Sequence, residues 1–109
     1  MPVKIEVKDA VVTAYLDGEL DHHTAATIRE EVDRSIDTQK PEMLILDFRD
    51  ITFMDSSGIG LVMGRYRKLK ELPHCELHVT NTSPYIYKVM RLAGLERLAF
   101  IDKGGKNNG

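Results

Sequence analysis

Phe53-Met54-Asp55-Ser56-Ser57-Gly58-Ile59-Gly60 decides how this chain is read, because one hydrophobic pattern ends in it and another begins. Upstream, Met43-Leu44-Ile45-Leu46-Asp47-Phe48 is almost continuously apolar, the pattern of a central strand covered on both faces. Downstream, Ile59, Val62, Met63, Tyr66 and Leu69 recur near helical spacing. The polar knot between them therefore opens an amphipathic helix and leaves Ser56 and Ser57 exposed. A helix start carries unpaired N–H groups and partial positive charge, so it accommodates a capping oxygen or a phosphate.

Three chemistries fit that knot. Asp and Ser are favoured helix caps, worth about 1 kcal/mol. A serine nucleophile needs a base and an oxyanion hole, and the surroundings of Ser56 are not the G-x-S-x-G elbow of a hydrolase. A regulatory phosphate on Ser56 would add about −1.5 to −2 charges beside Asp55, enough to turn a docking surface off without refolding it. On the residues alone all three stay open.

Working outward, Val3, Ile5 and Val7 alternate with Lys4, Glu6 and Lys8, and Val12, Ala14 and Leu16 alternate with Thr13, Tyr15 and Asp17. This predicts a β-hairpin. Gly18-Glu19-Leu20-Asp21 breaks the pattern, and Ala25, Ile28, Val32 and Ile36 then mark a helix over roughly 22–37 with Asp21 as its cap. The helix after the serines runs to about Leu72, where Pro73 stops it. A strand follows over 75–80, then Ser83-Pro84 opens a helix that carries Ile86, Val89, Met90 and Ala93 and ends at Gly94. Leu98, Phe100 and Ile101 suggest a short last strand. The order β-β-α-β-α-β-α-β predicts a single α/β domain over 1–103, a mixed sheet with an N-terminal hairpin and packed helices. Residues 104–109, rich in Gly, Asn and Lys, are expected to form a flexible C-terminal tail.

At 109 residues and 42% apolar, the chain has material for one core. Its 15 basic and 17 acidic residues give a net charge of −2, with no overall pull toward nucleic acid or anionic lipid. The lone Cys75 has no internal disulfide partner and alternates with Leu77 and Val79 as a small buried hydrophobe. The N-terminus lacks the apolar run of a signal peptide, and Ile59–Gly64 is far too short to span a membrane. A cytoplasmic protein with a protein or small-molecule partner is the expectation.

Two further groups carry possible chemistry. Asp21-His22-His23 resembles the letters of a metal site, but neighbouring helix residues lie about 100° apart, so the two imidazoles do not naturally converge on one ion. If both helices start just after strands, Asp21 and the serine knot share one sheet edge. Gly60 and Gly64 are four apart and share a helix face, which suits close packing against the sheet or a partner. The basic run Arg65, Arg67, Lys68 and Lys70 carries no nucleic-acid motif and reads as a solvated face.

Gly18-Glu19-Leu20-Asp21-His22-His23-Thr24-Ala25 and Phe53-Met54-Asp55-Ser56-Ser57-Gly58-Ile59-Gly60, continued by Gly64-Arg65-Tyr66, resemble the corresponding segments of bacterial anti-sigma factor antagonists of the STAS-domain class. The likeness extends over roughly residues 3–101, and the Asp-His-His segment points to the sporulation branch rather than the general-stress branch. The resemblance implies a STAS-like fold and a partner-switching protein that is not an enzyme. In that class the unmodified antagonist binds an anti-sigma factor that is also a serine kinase, which frees the sigma factor. The kinase then phosphorylates the antagonist and releases it, and a PP2C-type phosphatase resets the cycle.

The resemblance places the phosphate on Ser56 and the kinase-facing surface on Asp21, His22, His23, Asp55, Ser56, Ser57, Gly58 and Ile59. ATP belongs to the kinase, so no cofactor, catalytic residue or metal is expected in this chain, nor direct contact with nucleic acid or membrane. The chain departs from the class in ending on a Gly/Asn/Lys tail where a last helix is common. The alternatives are a general-stress antagonist, or a small phosphoesterase or nucleotide-binding protein using Asp21, His22 and His23.

Overall fold

The N-terminal alternation becomes a hairpin: β1 (Val3–Lys8) runs antiparallel to β2 (Val11–Leu20), with Val3 opposite Leu16 and Val7 opposite Val12, and Asp9 takes the left-handed turn position at φ 56°. The structure is a computed structural model and describes residues 1–103; the tail expected at 104–109 lies outside the described residues. After the hairpin come α1 (His22–Gln39), β3 (Met43–Met54), α2 (Ser56–Leu69), β4 (Glu76–Thr82), α3 (Pro84–Leu92), a 3₁₀ turn (Leu95–Arg97) and β5 (Phe100–Lys103). The sheet order is β1-β2-β3-β4-β5, and every pair after the hairpin is parallel. Parallel neighbours need crossovers, and the helices supply them.

One set of alternating residues faces the helices. Val12, Ala14 and Leu16 on β2, Leu44, Leu46 and Phe48 on β3, and Leu77 and Val79 on β4 are buried with Ile28, Val32 and Ile36 of α1. Leu61, Val62 and Leu69 of α2 and Ile86 and Met90 of α3 complete the same core. The alternate set, including Thr13, Tyr15, Ile45, Asp47, His78 and Thr80, keeps contact with solvent. The helices therefore cover one face, which corrects the expectation that β3 is enclosed on both. On the open face the His78 ring stacks on Phe100 with centroids 4.6 Å apart, and Asn81 Nδ2 donates to Asp47 Oδ2 at 3.0 Å.

Two strands run further than alternation predicts. β2 continues through Gly18 to Leu20, and β3 continues from Phe48 to Met54. Two register shifts, between Tyr15 and Asp17 and between Gly18 and Glu19, put an extra β3 residue against β2 each time. Such bulges break the two-residue period that sequence patterning depends on, and Gly18 accommodates its φ of 90° without a Cβ. Their result is that Leu20 and Met54 end as register partners, both buried. α2 stops at Leu69 rather than about Leu72, its last turns tightening through Glu71 N–H to Lys68 O and Leu72 N–H to Leu69 O, both 3.0 Å. Cys75 is half-buried just ahead of β4, where burial pushes its thiol pKa up.

Candidate functional site

Leu20 and Met54 each end a strand and each hand the chain to an aspartate. Because the two strands are adjacent and parallel, Asp21 and Asp55 emerge side by side, and Asp55 N–H donates to Leu20 O at 3.2 Å. Each caps the helix it precedes. Asp21 Oδ1 accepts from His23 N–H and Thr24 N–H, both 3.0 Å, while Asp21 N–H donates to Thr24 Oγ1 at 3.0 Å, a closed capping box. Thr24 Oγ1 also donates to the Glu19 carbonyl at 2.7 Å, which ties the helix start to the last residues of β2. These bonds, led by the one from the Thr24 backbone, hold the Asp21 carboxyl below its ordinary pKa.

The second cap is simpler. Asp55 Oδ1 accepts from Ser57 N–H at 2.8 Å, and Gly58 N–H reaches Asp55 O at 3.0 Å. The cap role thus falls to Asp55, and Ser56 becomes the first helical residue. Ser56 is exposed, and its hydroxyl makes no hydrogen bond among the described residues. Ser57 is half-buried and faces the groove between α1 and α2. The free hydroxyl therefore sits at a helix start, between a capping carboxylate and open solvent.

Gly58 is buried beneath this turn. A Cβ there would overlap Met54 Cγ and Sδ and lie 3.1 Å from Leu20 Cδ2, so only glycine lets α2 start this close to the two strand ends. Ile59 is half-buried against the core. His22 and His23 are exposed with ring centroids 4.3 Å apart, and no group of three His, Cys, Asp or Glu side chains among the described residues is placed to hold a metal. All eight expected partner-binding residues thus lie in the two caps and first helical turns that follow the Leu20–Met54 pair. Ser83, which caps α3 by accepting from Ile86 N–H at 3.2 Å, does not join them, since β4 leaves its pairing with β3 at Thr80, opposite Asp47.

Residues that patterning does not single out also shape the site. Phe53, two residues before the cap, is 52% exposed and pairs with Glu19 across the bulge. Behind the site, Arg65 is buried and pairs with Asp33 of α1, with Nε 2.9 Å from Oδ1 and Nη2 3.3 Å from Oδ2. The Nε contact is far from linear, so it is an ion pair rather than a hydrogen bond. Lys68 Nζ reaches Asp37 Oδ1 at 2.8 Å, so two ion pairs join α1 to α2 along their length. No helix among the described residues is long and apolar enough to cross a membrane.

The chain and its fold have known relatives. The STAS domain family model matches residues 2–104. The anti-sigma F factor antagonist of Paenibacillus polymyxa is 31% identical over 98 residues, covering 90% of this chain and 83% of that protein. The anti-sigma-B factor antagonist of Listeria monocytogenes is 25% identical over 113 residues, covering 100% of this chain and 97% of that protein. Among solved structures, the antagonist SpoIIAA in its unphosphorylated form superposes with a TM-score of 0.78 at 34% identity, covering 91% of this chain and 86% of that one. SpoIIAA in its phosphorylated form, from Bacillus, gives 0.71 at 35% identity, over 91% and 89%. With the family model spanning nearly every described residue, and with paired aspartate caps flanking a free serine, the chain belongs to the STAS-domain family of anti-sigma factor antagonists.

Proposed function

We propose that this chain is a phosphorylation-controlled binding protein of the sporulation type. Its unmodified form binds an anti-sigma factor that is also a serine kinase, and so frees a sigma factor in the cytoplasm. The observation that carries the reading is the Ser56 hydroxyl, exposed and unbonded at the first position of α2, beside Asp55 and across from Asp21. The kinase holds ATP and moves its γ-phosphoryl group to Ser56 Oγ; ADP and the hydroxyl proton leave. The new dianion is tolerated by the helix start on its own side. It is opposed by any acidic group that the kinase brings to the same surface. A PP2C-type phosphatase restores the hydroxyl by hydrolysis.

Incubation of the full chain with its anti-sigma kinase and ATP tests this directly. Mass spectrometry should find one phosphate, on Ser56; modification confined to other residues defeats the assignment. Likeness to an anti-sigma-B factor antagonist over the whole of this chain supports a second reading, a general-stress antagonist with the same switch. Preferential binding to a general-stress kinase over a sporulation kinase would select it.

A further inference from the structure

Between α1 and α2 runs a groove of about 390 Å³ that opens beside Ser57 and is bounded by Ala25, Gly60, Gly64, His22, Arg29 and Arg65. Its glycines need explaining. Gly58 is required by the fold, but a Cβ on Gly60 or Gly64 would meet nothing within 4 Å, and neither has a positive φ. Both lie inside a helix, where glycine lowers stability relative to alanine. They therefore do not serve packing against the sheet. What they leave is a strip of bare helix backbone open to approach from outside.

The charges along the groove are unbalanced. Arg29 has no ion-pair or hydrogen-bond partner among the described residues. Arg65, more than nine-tenths buried, spends its Nε–Nη2 edge on Asp33, and its Nη1 has one contact, 3.5 Å to the Leu61 carbonyl. Burial lowers the Arg65 pKa, Asp33 opposes that, and Arg29 adds like-charge repulsion. Of the two guanidiniums only Arg65 has a carboxylate, and a second carboxylate from outside would balance Arg29.

We propose that the α1–α2 groove receives an acidic side chain of the anti-sigma kinase, its backbone laid against Gly60 and Gly64 and its carboxylate held by Arg29. The inference rests on the partner-switching reading and extends the docking surface from the Ser56 edge down the helix pair. A polypeptide fits better than a free anion, because a free anion needs no bare helix strip.

The test measures affinity of the full unphosphorylated chain for its anti-sigma kinase by calorimetry. Arg29→Glu and Gly64→Leu should each weaken binding about tenfold or more while remaining folded, since neither changes a core contact. Gly60→Ala should raise the melting temperature and weaken binding. A kinase variant with one exposed acidic residue changed to Lys should recover binding to Arg29→Glu. Binding of Arg29→Glu and Gly64→Leu within twofold of the parent overturns the groove, and failure of every charge-reversed kinase overturns the acidic partner. Loss of self-association, with kinase binding intact, would assign the groove to a second copy and overturn the proposal too. A parent chain that never binds the kinase defeats the partner-switching reading first, before any groove variant is made.

Discussion

Gly58 lies over the Met54 side chain so closely that no Cβ fits between α2 and the end of β3. Leu20, the register partner of Met54, closes the same gap from β2. Gly58→Ala therefore overpacks the junction on which both aspartate caps rest, at a cost of about 1–3 kcal/mol. The intrinsic helix gain of alanine, about 0.5–1 kcal/mol, offsets only part of it. Gly60→Ala keeps that gain in full because its Cβ meets nothing. Thermal unfolding should lower the melting temperature for the first and raise it by several degrees for the second; shifts of the same sign would contradict this account of the junction.

Asp33 and Arg65 provide a second measurement. A buried ion pair contributes little over an apolar pair, but removing one partner strands the other. Asp33 is 27% exposed in its side chain and Arg65 only 7%, so the stranded charge is costlier when Arg65 is the one left. Asp33→Ala should cost about 2–3 kcal/mol in urea unfolding, discounted from the fully buried case. Adding Arg65→Met should recover most of that loss. A double variant no more stable than Asp33→Ala alone would show that Arg65 is not stranded.

The helix starts were legible because caps are local. Asp21, Asp55 and Ser83-Pro84 announce themselves within three residues, and Gly94, at φ 80°, ends α3 where its position after the apolar stripe predicts. The strand ends were not. On β2 the alternation keeps its phase to Leu20, but Gly18 and Glu19 carry no apolar signal, so Gly18-Glu19-Leu20 reads as a break although it is paired strand. On β3 the two extra residues shift the buried positions from Leu44, Leu46 and Phe48 to Ile51 and Met54. The run Met43–Phe48 hides its open face, because Met43 and Ile45 on that side are apolar and Asp47 alone marks it. Arg65 hides in a basic run that looks solvated, since its partner Asp33 is 32 residues away and nothing local marks the pair.

Asp21 predicts a pH dependence. Its carboxyl is held below the ordinary value of 3.8 chiefly by the Thr24 backbone N–H, so the folded state binds its proton less readily than the unfolded chain. The stability this gives is complete above the unfolded value and disappears as pH falls through the lower folded one. Asp21→Asn keeps an oxygen for capping but does not titrate. Between about pH 5 and pH 2 the parent should therefore lose more melting temperature than Asp21→Asn, and parallel curves would remove the carboxylate from the cap's energetics.

Ser56 carries the sharpest prediction because two substitutions there differ by one charge while leaving the cap on Asp55. Ser56→Ala deletes a hydroxyl that bonds to nothing among the described residues, so stability and kinase affinity should stay close to the parent. Ser56→Asp places a carboxylate at the first helical position, where the helix dipole favours it, so the fold should be as stable or slightly more so. Affinity should nevertheless fall. Two unit charges about 5 Å apart at an effective dielectric of about 20 interact by roughly 3 kcal/mol, on the order of a hundredfold. The loss should shrink at high salt, since the opposing charges lie at a wetted surface. A stable Ser56→Asp chain that binds its kinase as tightly as Ser56→Ala would rule out charge as the switch; one that binds poorly yet melts normally separates the effect on the partner from any effect on the fold.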